Sequence, residues 1–187
     1  MQDRIENLLE RVAALAGKTL QATRVEAREY VAGLVACKTA GKTAVASNAP
    51  FLAECGITDI ENVRSGITNR EELREICRTA DYGITSADYA LADTGTLVML
   101  SSAREARMIS LLPPAHIAIV PADRILTGLD ELLTILPKPA EQTSSMVLIT
   151  GPSRTGDIEQ ILVRGVHGPG EIHVVVVGSR GVLEYPK

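Results

Sequence analysis

The run IHVVVV at residues 172–177 is apolar at every position but one, so as a strand it has no polar face to turn towards water. Strands of that kind belong to sheets covered on both sides, which is the habit of parallel sheets flanked by helices. HIAIV at 116–120 reads the same way, and helical stripes lie between such runs. Ala27, Val31, Leu34 and Val35 share one face, Leu73, Ile76, Cys77 and Ala80 another, and Leu129, Leu132, Leu133 and Leu136 a third. Leu132 and Leu133, at the centre of the clearest stripe, are expected in the core. The alternation implies an α/β chain with a mainly parallel sheet and helices on both faces.

Other elements fit that rhythm. An amphipathic helix over about 3–16 precedes strands at 19–23 and 43–46. Ser47 and Asn48 start a short helix before Pro50, which Gly56 ends, and a weak strand follows at 57–63. Asn69 with Glu72 caps the next helix, through Thr79. Residues 87–100, ADYALADTGTLVML, break the pattern, because too few residues precede the strand at 96–100 for a crossover helix. A hairpin turning at Asp93, Thr94 and Gly95 is expected there, giving the sheet one antiparallel pair. The 187 residues, 45% apolar, show no repeat or linker and read as one domain, 1–187.

Residues 144–177 read as strand, loop, helix, turn and strand. The loop is Gly151, Pro152, Ser153, Arg154, Thr155 and Gly156, and Ile158, Ile161 and Leu162 line one face of the helix after it. Small residues let backbone approach a ligand, Ser153 and Thr155 offer hydroxyls, Arg154 offers a fork, and a helix N-terminus adds free N–H groups. That combination grips an anion. The same residues also read as plain turn chemistry followed by an Asp157 and Gln160 cap, and both readings stand at this level.

Several classes are set aside by composition. A net charge of −4, one Phe and no Trp leave neither a basic face nor stacking platforms, so nucleic acid is not an expected partner. No apolar run approaches the ~20 residues that cross a bilayer, and the N-terminus lacks the continuous apolar segment of a signal peptide, which points to the cytoplasm. Cys37, Cys55 and Cys77 form no C-x-x-C pair, and His116, His167 and His173 have no ligand spacing, so no metal site is expected. Cys77 reads as a buried thiol. There is no G-x-G-x-x-G and no Walker loop, and no cofactor is expected.

In open parallel sheets, ligands bind outside the carboxyl ends of the strands. Residues 151–156 follow one strand, and Ser86, Asp88, Thr94, Gly95 and Thr96 follow another. Both segments are therefore expected on one crevice as ligand-binding residues. His167 and its glycines fall on the opposite edge, and His116, starting a strand after Pro113 and Pro114, reads as structural. Asp93 is either a turn former or a carboxylate working beside the anion loop, as a nucleophile or as a hydrogen-bond acceptor for substrate.

Three ordered segments, GITSADYALADTGTLVML, SLLPPAHIAIVP and LITGPSRTGDIEQILVRGVHGPGEIHVVVV, resemble the LUD domain family of the lactate utilization proteins. The resemblance implies a three-layer α/β/α fold like that of the sugar-phosphate isomerases and CoA transferases. It also implies a non-redox role in oxidising lactate to pyruvate beside iron–sulfur partner proteins, with a small carboxylate or phosphate-bearing anion as ligand. Two alternatives come with it: an enzyme of CoA-transferase or cyclo-ligase type using Asp93, and a purely structural partner of an iron–sulfur subunit. Relatives carry Glu in an A-E-T-G stretch, where this chain has Ala92, Asp93, Thr94 and Gly95. The related CoA transferases take their nucleophile from a Glu-x-Gly stretch. Asp93 would retract that carboxylate by more than about 1 Å, a misplacement that costs on the order of 10²-fold in rate.

Overall fold

A computed structural model describes residues 1–36, 42–101, 107–156, 162–164 and 168–178. The first helix, α1 (Gln2–Ala14), buries Ile5, Leu8 and Val12 along one stripe. Strand β1 (Lys18–Ala22) runs into α2 (Arg24–Val35), which starts on a reciprocal capping box between Thr23 and Glu26. Strand β2 (Ala44–Ala46) precedes α3 (Pro50–Glu54), where proline occupies the first turn and loses no hydrogen bond. The segment expected as a strand over 57–63 is mostly turn, and only β3 (Val63–Arg64) pairs. In α4 (Arg70–Thr79), the Asn69 carboxamide oxygen accepts from the amides of Glu71 and Glu72, as expected.

Strand β4 (Tyr82–Ser86) is followed by the hairpin of β5 (Tyr89–Leu91) and β6 (Thr96–Leu100), then α5 (Arg107–Leu111) and β7 (Ala115–Pro121). A short 3-10 turn leads to β8 (Ile125–Leu126), α6 (Leu129–Ile135) and α7 (Pro139–Gln142). The chain continues through β9 (Met146–Ile149), β10 (Arg154–Gly156), β11 (Leu162–Arg164) and β12 (Glu171–Val177).

Six strands form the main sheet in the order β1-β12-β7-β4-β2-β3, and every neighbouring pair is parallel. Side chains alternate across it. Ile117, Ile119, Val175 and Val177 pack with α2 and α3 on one face, whereas Ala118, Val120, Ile172, Val174 and Val176 pack with α1 and the hairpin on the other. Helices α4 and α5 cover the rest of that second face around Leu73, Cys77 and Ile109.

Two expectations are corrected here. The antiparallel pair does not lie in the main sheet. At Asp88 the chain leaves it, because the Ala87 amide still donates to Ile119 O while the Asp88 amide donates to Val98 O. The hairpin therefore founds a second sheet, β8-β5-β6-β9, stacked on the first. The second correction concerns the residues read as a helix after 156. Leu162 belongs to β11, which pairs antiparallel with β10, while Ile158 and Ile161 lie outside the described residues. Apolar spacing alone had favoured a helix, but residues 154–156 and 162–164 complete their backbone hydrogen bonds with each other.

The stripe on α6 divides between core and solvent. Leu132 is fully buried with Leu136 against Leu91, Val98 and Leu126, while Leu133 is 44% exposed. A single helix on the outer face of a small sheet covers only one side of itself. Leu132→Ala is expected to cost about 2–5 kcal/mol in chemical denaturation, and Leu133→Ala to stay within about 0.5 kcal/mol. Equal losses at the two positions would show the helix rotated from this placement.

Candidate functional site

The residues singled out in the sequence separate into three places. Ser86 and Asp88 lie at the carboxyl edge of the main sheet, on a cleft of about 590 Å³. Residues 151–154 line a different cavity, of about 340 Å³, together with His116 and Ile172 from the starts of β7 and β12. That is the amino edge. The single crevice expected from the parallel rule is not formed, because β9 runs in the second sheet and its following loop is carried to the opposite end. The Ser153 amide donates to Pro169 O at 2.8 Å, which fixes this loop beside the turn that had been assigned to the far edge. His167 itself lies outside the described residues.

Asp93, Thr94 and Thr96 form the third place. The Thr94 hydroxyl donates to Asp93 Oδ1 (3.1 Å), and close contacts continue from Thr94 to Thr96 (2.8 Å) and from Thr96 to Thr150 (2.9 Å). Each hydroxyl has one proton, so donation runs from Thr150 towards Asp93. The chain orients the carboxylate at an exposed turn whose other neighbours include Asp130 and Glu131. Glu131 is held ionised by the Thr127 amide and Arg4. An acidic rim of that kind repels an anionic acyl donor.

Gly95, Gly151 and Arg154, expected to line the ligand crevice, pack against the end of α1. Gly95 (φ 71°) lies where a Cβ would come within 2.9 Å of Arg11 Cβ, and Gly151 (φ 87°) lies against Leu15. Both let the second sheet close onto the end of α1. Arg154 Nη2 donates to Leu15 O at 2.7 Å, satisfying a carbonyl at that helix's C-terminus. Thr155 and Gly156 belong to β10, and among the described residues no helix begins at the loop.

The carboxyl-edge cleft carries charges that the sequence reading passed over. Arg24, first residue of α2, pairs with Glu54 (2.9 Å) and lies over the Phe51 ring. Arg124 lies over Tyr89, 5.5 Å from its centroid, and reaches its hydroxyl at 3.5 Å. Asp123 also lines the wall. Asp88 Oδ2 accepts the Leu100 amide at 2.7 Å; burial raises its carboxyl above the usual range, against the pull of that amide and Arg124. Both arginines follow the carboxyl end of a strand, so applying the edge rule to every cation after a strand would have found them.

Two histidines are buried. His173 is held between Tyr30 OH at Nδ1 (2.7 Å) and Glu171 Oε1 at Nε2 (2.7 Å), with Lys18 on the same carboxylate. His116 Nε2 meets Thr85 Oγ1 at 2.8 Å, while its Nδ1 has no partner among the described residues. Burial, with a smaller push from His173, lowers its pKa from 6.5 to about 4. Cys77 is buried as expected, and its thiol is pushed up to about 11; Cys37 lies outside the described residues. Among the described residues no group of acidic, His or Cys side chains has the arrangement of a metal site, and no helix is long and apolar enough to cross a membrane.

Comparison with known proteins places these features in a family. The model of the LUD domain matches residues 5–177. A lactate utilization protein C from Halalkalibacterium halodurans is 33% identical over 186 residues, spanning 95% of this chain and 81% of that protein. Lactate utilization protein C 1 from Bacillus mycoides is 36% identical over 150 residues, covering 74% of this chain and 64% of its own length. A crystal structure of a DUF162 family protein from Deinococcus radiodurans superposes with a TM-score of 0.67 over 95% of this chain and 98% of that one, at 20% identity. At that identity the likeness is one of fold.

The buried imidazole makes a pH prediction. Unfolded His116 takes up a proton near 6.5 and folded His116 only near 4, so the unfolded state binds more protons throughout that window. The contribution is fully present above 6.5, falls as pH drops towards 4, and reaches on the order of 3 kcal/mol. Urea midpoints measured across this range should fall less steeply for His116→Gln than for the wild type. Parallel curves would assign the acid sensitivity elsewhere.

Proposed function

The chain belongs to the LUD domain family, and from that premise we propose that it is a non-redox component of a cytoplasmic lactate-oxidising system, working beside iron–sulfur proteins. It binds a small carboxylate in the cleft at the carboxyl edge of the main sheet. The observation that carries this reading is that Arg24, Arg124 and Ser86 all line one cleft at the strand ends where ligands of open parallel sheets bind. A guanidinium fork matches a carboxylate in shape and charge, and Ser86 offers a hydroxyl to a neighbouring oxygen.

Two guanidiniums stand against Glu54, Asp88 and Asp123 in the same wall, so the cleft carries no net positive charge and the ligand is limited to a carboxylate that exchanges into a guanidinium fork. Lactate and pyruvate fit that limit. The names of the relatives support the process, and the cleft supports the ligand class.

Isothermal titration with lactate and with pyruvate tests the assignment. Saturable binding is expected, weakened about tenfold to a hundredfold by Arg124→Gln, as loss of a charged hydrogen bond implies, and unchanged by Arg154→Ala. Loss with Arg154→Ala and retention with Arg124→Gln would move the ligand to the other edge. The transferase alternative has a separate check. Asp93 stands on an acidic rim outside this cleft, so incubation with acyl-CoA is expected to leave no mass adduct on it, and an adduct would revive that alternative.

A further inference from the structure

The wall of the Arg24 and Arg124 cleft contains a carboxyl group to which the reading above gives no work. Asp88 lies where the chain crosses from the main sheet to the second: the Ala87 amide donates to Ile119 O and the Asp88 amide to Val98 O. Its side chain is held as well, since Oδ2 accepts the Leu100 amide at 2.7 Å. Backbone and carboxyl are thus both tied, and the group stays half-buried in the cleft wall instead of swinging out to water. The other two carboxylates of that wall differ from it. Glu54 and Asp123 are exposed, where water screens them, and Glu54 is committed to Arg24.

We propose that Asp88 makes the cleft take its carboxylate ligand together with a proton: on binding, Asp88 Oδ1 takes up one proton from solvent, and the resulting O–H donates to an oxygen of the ligand carboxylate held by Arg124. The inference rests on the reading that a small carboxylate binds in this cleft, and it names what controls that binding. A protonated carboxyl has one O–H to give, and with Oδ2 already accepting from Leu100 the proton falls to the other oxygen. The proton offsets the charge that the ligand brings, so the filled cleft is no more negative than the empty one.

The coupling follows from a shared cation. The charged and titratable groups that share the cleft with Asp88 are Arg124 and Asp123 on the 3-10 turn, Tyr89 on β5, Glu54 on α3 and Arg24 on α2. Arg124 is the cation whose field reaches the Asp88 carboxyl. A ligand carboxylate that takes the Arg124 fork therefore comes within reach of Asp88 and draws off the charge that kept it ionised. Two carboxylates that share one cation at a half-buried place favour a proton on one of them. Asp88 is prepared for that role, because burial already holds its carboxyl above the usual range, against the Leu100 amide and Arg124. By reciprocity, a proton on Asp88 strengthens ligand binding as much as the ligand strengthens the proton's. Affinity accordingly rises as pH falls, and levels off once Asp88 is protonated without ligand.

Isothermal titration of the full chain with pyruvate, itself ionised throughout, tests the proposal between roughly pH 8 and pH 5.5 in buffers of different ionisation enthalpy. Affinity is expected to rise about tenfold as pH falls, with a heat that varies with the buffer as uptake of a proton requires. Asp88→Asn keeps the acceptor for Leu100 and offers an N–H in place of the O–H. It is expected to bind more tightly than the wild type at the alkaline end, with no pH dependence and no buffer dependence. The ¹³C shift of the Asp88 carboxyl in the wild type, titrated with and without pyruvate, gives the same answer if that variant does not fold: its midpoint should move up with ligand. Pyruvate binding that Arg124→Gln weakens but pH leaves unchanged would overturn this inference and leave the cleft assignment standing. A pH dependence that survives Asp88→Asn, or an Asp88 midpoint that ligand does not move, would overturn it too. No saturable binding at any pH would remove the cleft reading and this inference with it.

Discussion

Strand β1 reaches the rest of the main sheet only through β12, so the first strand of the chain has no place until the last described strand is seated between it and β7. Lys18 pairs with His173 and Glu171 with Ala115, joining the two ends of the sequence across one strand. That strand can carry the load because it is almost wholly apolar: its odd and even positions serve different clusters, and each cluster includes one of the first two helices. Pairings this distant in sequence must meet their loop-closure entropy before any contact rewards it.

The same strand decides where α1 goes. With Ile172, Val174 and Val176 facing the second sheet, α1 is received by a layer already formed by Ala90, Leu97 and Met99. The second sheet meets the helix end with Gly95 and Gly151, where a side chain would crowd Arg11 and Leu15. Arg154 then closes the helix C-terminus from the same layer. A loop composition that suggested ligand chemistry is thus used to join two sheets and a helix. Small residues permit close approach of any backbone, and nothing in their sequence says whether the approaching group is a ligand or another part of the chain.

That ambiguity marks how far the sequence could be read. The strands at 116–120 and 172–177, the Asn69 cap and the turn at Asp93, Thr94 and Gly95 each depend on residues close together, and each was legible. Leu132 and Leu133 were not separable, since a stripe's width tells how much of a helix is apolar and not how much of it a small sheet will cover. The hairpin of β10 and β11 was hidden for a similar reason. The direction of β9 was the costlier omission. A short apolar run fixes that a strand exists, but its orientation belongs to the partner it finds, here β6, running antiparallel at a separation no local pattern records. The edge rule is sound for strands of one sheet, and it misplaced residues 151–156 only because their strand is in another.

Two chemically different ends result from this layering. The carboxyl edge gathers Arg24, Arg124, Glu54, Asp88 and Asp123 in loops and helix ends, where a ligand competes with the Arg24–Glu54 ion pair. Selectivity there comes from geometry, since only a group that matches a fork better than Glu54 does will displace it. The amino edge is walled by residues of both sheets and by the loop after β9, Arg154 among them, and the buried His116 imidazole beside it stays neutral into acid. The same parallel sheet separates the two ends by the length of its strands.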